Sequence, residues 1–149
     1  MFILDFAGYL TMPATIQKIK GKPIVIVTYK GRITFDDAQF AFQKVAKLLD
    51  TYPKPLYRVV CFDTDIVITF DEVMMMATFS SRFVRGTATD ADVISVLCGQ
   101  HPLLDIYADA MRQEAFGGVE MPLFDTLEEA ILHIQDWIEA DLNTPFATV

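Results

Sequence analysis

The chain of 149 residues is 52% hydrophobic and 21% charged, with 12 Lys and Arg against 20 Asp and Glu and a net charge of −8. This length suits one domain with a real core, and the composition excludes a disordered chain. The negative surface repels phosphate backbones, so no nucleic-acid partner is expected, and the longest apolar runs, 59–62 and 73–77, fall far short of the roughly 18–20 residues of a membrane span.

The N-terminal "MFILDFAGYL" has no Lys or Arg ahead of its apolar stretch and is interrupted by Asp5, so it does not read as an export leader. Next, "ATIQKIKG" (14–21) and "PIVIVTYKG" (23–31) read as two strands of a hairpin around Gly-Lys-Pro. Residues 34–51 take helical period, with Ala38, Phe42, Val45 and Leu49 on one stripe, and Pro53 and Pro55 end it. A strand over 57–63 and a helix over 70–85 follow. A second strand–helix pair covers 92–99 and 102–116, where Gly117 and Gly118 supply the stop. The last strand spans 119–124, with Pro122 marking a sheet edge. The last helix spans 127–141, and the tail is expected to fray. This β-β-α-β-α-β-α-β-α order predicts one α/β domain over 1–149, with its core at about 14–141. It predicts an N-terminal antiparallel hairpin, then parallel strands joined by right-handed crossovers through four helices.

Three helix starts repeat one pattern: "TFDD" at 34–37, "TFDE" at 69–72 and "TLEE" at 126–129. A Thr hydroxyl at the N-cap accepts from a first-turn N–H, and the acid three positions on reaches back to the Thr N–H. Capping and the helix dipole therefore explain six acids without catalysis. The helix at 102 lacks such a start, leaving its first-turn N–H groups free for an anion, water or ligand, with Gly99 as the tolerated cap. On a helical wheel Met76, Phe83 and Val84 face the core. Met75, and at the flank Met74, face outward as candidate contacts.

In an open α/β sheet, ligands favour the carboxyl ends of the strands. Those ends hold Asp63, Thr64 and Asp65, Cys98, Gln100 and His101, and Asp125. With Thr69, Met74 and Met75, the residues from Asp63 to His101 form the candidate ligand or partner surface. Cys98 and His101 with Asp63 are also the material of a thiol nucleophile, which keeps a small enzyme as the alternative. With no export leader, Cys61 and Cys98 are expected as reduced thiols in a cytoplasm; neither belongs to a C-x-x-C pair, so no metal is expected, and no cofactor. His133, one turn from Trp137, reads as structural. The strands "VISVL" and "PIVIV" are apolar on both faces, so both faces of the sheet must be covered. If the helices share one face, residues 1–13 or a second subunit cover the other, which makes a homodimer the expected assembly.

The hairpin followed by "GRITFDD" resembles the start of STAS-like domains, the SpoIIAA-like fold of anti-sigma-factor antagonists. "YRVVCFD", "HPLLDIYADAMRQE" and "VEMPLFDTLEEAILHI" are similar to a bacterial branch of uncharacterised SpoIIAA-like proteins, over about residues 16–138. The resemblance implies a right-handed β-α superhelix and a non-catalytic domain that binds a protein partner or a small apolar, lipid-like ligand. Regulatory STAS domains carry a phosphorylated Asp-Ser-Ser-Gly motif where this chain reads "VITFDEVMM". The serine is missing, and Asp71 and Glu72 already supply negative charge, so a phosphorylation switch is not expected.

Overall fold

The computed structural model describes residues 14–143, with the backbone of β1 (Ile3–Leu4) and β2 (Leu10–Thr11), which pair antiparallel in a sheet of their own. The expected roles of the remainder of 1–13 and of the tail lie outside the described residues. The main sheet runs β3 (Ala14–Lys18), β4 (Ile24–Tyr29), β5 (Leu56–Phe62), β6 (Val93–Cys98), β7 (Leu123–Phe124), in that spatial order. Only the first pair is antiparallel. With α1 (Phe35–Leu48), α2 (Phe70–Ser80), α3 (Pro102–Arg112) and α4 (Leu127–Asn143), this is the expected α/β architecture with a five-stranded mixed sheet and four helices.

Two elements are shorter than their sequence patterns. The last strand pairs only at Leu123 and Phe124, after Pro122, which has no N–H for the ladder; as Pro122 implies, it forms the sheet edge. Helix α2 stops at Ser80 instead of continuing to 85. The Thr78 and Ser81 hydroxyls donate to the carbonyls of Met74 and Thr78, offering the backbone local alternatives to further helix. Phe83 then takes a positive φ of 57° and is 68% exposed rather than inward. Gly86, at φ 86°, lies so close to the Phe42 carbonyl that no Cβ fits.

The crossovers β4-α1-β5, β5-α2-β6 and β6-α3-β7 all step the same way across the sheet. Crossovers of one hand stepping in one direction place their helices on one face. Val25, Val27, Leu56, Val60 and Leu97 accordingly pack there beneath α1, α2 and α3. The alternate residues Ile24, Ile26, Val59 and Val96 point to the other face, where Ala130 and Ile134 of α4 seal them. The cover for the second face is thus the chain's own last helix.

The expected pair of reduced thiols is corrected. The parallel register places Cys61 directly opposite Cys98, with Cα atoms 4.8 Å apart, and the two form a disulfide. They are 37 residues apart in sequence, so no local spacing announces the pair.

Candidate functional site

The anticipated surface residues do not form one site. Asp63, Thr64 and Asp65 are exposed on the turn after β5, where the Thr64 N–H donates to Asp63 Oδ1 at 2.7 Å. Thr69 caps α2, its hydroxyl accepting from the Glu72 N–H at 3.1 Å. Met76 is core, as the wheel predicts, while Met75 is 47% exposed and Met74 half-buried. Those two line an open groove with Phe35, Phe79 and Arg82. Gln100 is exposed. Cys98 is 3% exposed with its sulfur committed to Cys61, so it is neither a surface contact nor a free thiolate.

Helix α3 is not uncapped. His101 is the N-cap, its Nδ1 accepting from the Leu103 N–H at 3.1 Å. This gives His101 a backbone partner, and a Cys98–His101 nucleophile–base pair has no support in the geometry. Imidazole lies outside the usual set of capping side chains, which is why the sequence pattern read Gly99 in its place. His133 lies between Phe124 and Trp137, tilted against the first and edge-on to the second, with ring centroids 4.9 and 4.4 Å away. Among the described residues, no three His, Cys, Asp or Glu side chains gather around a possible ion position.

The most unusual chemistry lies elsewhere. Arg58 sits mid-way along the central strand β5, on the three-helix face, and is 2% exposed. Its Nε donates to Ser95 Oγ, its register partner on β6, at 3.0 Å, and its Nη1 donates to the Gly86 carbonyl at 2.5 Å. The guanidinium also lies 5.9 Å from the Phe42 ring centre, within cation–π range. All ion pairs found among the described residues involve other cations, Lys54, Arg85 and Arg112. Burial pushes the Arg58 guanidinium below its ordinary range, while Tyr107, Tyr29 and Asp90 push it back up. Arginine stays charged in proteins, so a positive charge is held in the core by neutral acceptors and aromatic faces.

Tyr29 and Tyr107 flank this charge. Burial raises both phenols above their usual range, so both are protonated at neutral pH. Arg58, Tyr29 and Tyr107 line a cavity of about 20 Å³ whose other walls include Phe42, Phe62 and Met76. A second cavity of about 10 Å³ shares Phe62, Met76 and Tyr107 and extends to Ile68, Leu103 and His101. The two are water-sized voids with shared walls beneath the helices, the first beside the buried cation and the second beside the α3 cap.

Sequence reasoning passed over Arg58, Tyr29, Tyr107 and Ser95. One signal was present: Arg58 is the lone charge in the apolar run of "YRVVCFD", and alternation puts it on the face of Leu56 and Val60. Among the described residues, no helix is long and apolar enough to cross a membrane. The chain matches no known family model, and no curated protein matches it.

Proposed function

We propose that the protein is a non-catalytic, SpoIIAA-like domain that binds a small apolar ligand. The observation that carries this is the open groove of about 630 Å³ beside α2, lined by Phe35, Met74, Met75 and Phe79. Ligand sites are concave, mostly apolar and marked by a few polar groups, and methionine suits an adaptable wall. The hairpin and successive parallel crossovers agree with the resemblance to STAS-like domains. With Thr69 serving as a cap and no serine beside it, the reading gives the domain a binding role without a phosphorylation switch. It includes a homodimer joined through the Met74 and Met75 face, because α4 already occupies the sheet's other face.

Native mass spectrometry of gently purified protein tests both parts. The expected result is a dimer mass carrying a small apolar adduct that disappears on organic extraction. A bare monomer at micromolar concentration that takes up no added apolar compound would sink the reading.

A further inference from the structure

The outward line of α2 begins with an acid and ends with a base. Asp71, Met75, Thr78 and Arg82 follow one another at helical spacing, and all four are exposed. Arg82 lies just past the end of α2 but stays on that line. Ser81 keeps a right-handed helical conformation, and the Arg82 N–H donates to the Phe79 carbonyl at 3.2 Å. Asp71 and Arg82 both line the groove, one toward each end, about 16 Å apart along the helix. The ion pairs found among the described residues use neither of them. The chain carries a net charge of −8, yet among the described residues this groove is lined by one acid and one base. The negative field that keeps copies apart is therefore balanced there.

The order of these residues is self-complementary. Asp71 with Arg82, and Met75 with Thr78, are placed symmetrically about the step between Met76 and Ala77. A two-fold contact presents the same patch from both copies. A second α2 laid antiparallel about an axis at that step sets Asp71 against the partner's Arg82 at both ends, and Met75 against the partner's Thr78 at the centre. A parallel pair would instead set acid on acid and base on base. Four of the eight exposed large hydrophobic side chains among the described residues, Val67, Phe70, Met75 and Phe83, lie on α2 or within three residues of its ends. The contact thus has apolar surface to bury as well as charge to match.

Resting on the dimer in the reading above, we infer that the partner on this face is a second copy of the chain, its α2 antiparallel to the first and held in register by two Asp71–Arg82 ion pairs. Such pairs fix register and orientation more than they add affinity. The contact runs along α2 itself. Phe35 and Phe79, with ring centroids 5.4 Å apart, remain on the α1 side of each groove as the floor for the small ligand.

The test is charge reversal in the full chain, read by analytical sedimentation. The wild type is expected to sediment as a dimer at micromolar concentration. Asp71→Arg and Arg82→Asp each bring like charges together at both ends, and each alone is expected to weaken the dimer about tenfold or more. Mixed in equal amounts, the two variants are expected to form a heterodimer of near wild-type affinity, because every charge again meets its opposite. The double variant is expected to recover the homodimer in the same way. Recovery needs folded chains, so it separates a broken contact from a damaged protein. A monomeric wild type overturns the dimer and this inference together. Single variants as tightly dimeric as the wild type leave the dimer standing and overturn the α2 pairing. Single variants that come apart and recover neither on mixing nor in the double variant overturn the antiparallel register.

Discussion

The α4 face of the sheet is closed by Ile24, Ile26, Val59, Val96, Ala130 and Ile134, with Cys61 bonded to Cys98 beside them. The opposite face buries a larger apolar set and, within it, Arg58, Ser95, Tyr29 and Tyr107. A single helix with alanine at its contact can lie close and leave little room. Three helices side by side leave joints, and the α2–α3 joint is where the cavities run. The two faces thus differ: one packs apolar side chains against α4 and opens at Tyr57, Ile94 and Trp137 into a pocket of about 200 Å³, and the other buries polar groups around water-sized voids.

Truncating one residue on each face gives the sharpest contrast. Ile134, fully buried on the inner side of α4, is expected to cost about 2–5 kcal/mol when changed to Ala, from lost burial and the cavity left behind. Arg58→Met removes a desolvated charge but strands a hydroxyl and a carbonyl, and opposing terms of this kind leave stability within about 1 kcal/mol of wild type. Urea unfolding of both variants checks the pair. A loss above about 3 kcal/mol for Arg58→Met would make Arg58 a structural tie and erase the distinction between the faces.

A smaller contrast uses one motif on both faces. Asp37 completes a capping box with Thr34, its Oδ2 accepting from the Thr34 N–H at 2.8 Å. Glu72, at the equivalent place in α2, instead accepts from the Phe35 N–H of α1 at 2.5 Å. Helix α2 therefore caps its neighbour, a tie open only to helices packed side by side. On the α4 face, Thr126 accepts from the Glu129 N–H at 3.2 Å, and the Glu129 side chain is exposed. Glu72→Ala is expected to cost about 1 kcal/mol, and Glu129→Ala no more than about 0.5 kcal/mol, by thermal melts. Equal losses would show that the two acids serve only their own helices.

These cases show where sequence legibility stops. Element order, the parallel crossovers, the Thr caps and the inward Met76 follow from local period and capping chemistry, and all are present. Glu72 and Glu129 look alike in sequence, and only the neighbour at each helix start separates them. Cys61 and Cys98 become partners through strand register, a non-local property. His101 stands in the sequence as a strand-end candidate contact, and its role as a cap depends on ring placement that no pattern shows. Arg58 was visible as a charge inside an apolar strand, but its meaning depends on the helices above it, which decide whether a cation there meets a carboxylate, water or a void.

The weakest expected effect tests the outer edge of the three-helix face, where the loop after α2 returns to the sheet. Asp92 lies 3.3 Å from both Lys54 Nζ and Arg85 Nη1. The hydrogen bond from Lys54, aided by that from Arg85, holds its carboxyl below the ordinary carboxylate range. A carboxyl depressed by folding adds stability above its unfolded pKa, and that stability is lost as pH falls through the folded value. The wild type should therefore lose more stability than Asp92→Asn between about pH 5 and pH 2. The two melting curves should converge at the acid end, and the gap at neutral pH should shrink in about 1 M salt because the partners are exposed. Parallel pH profiles would show that Lys54 and Arg85 do not hold this edge, leaving the hydroxyl and carbonyl bonds of the 81–92 loop as what seats it above Arg58.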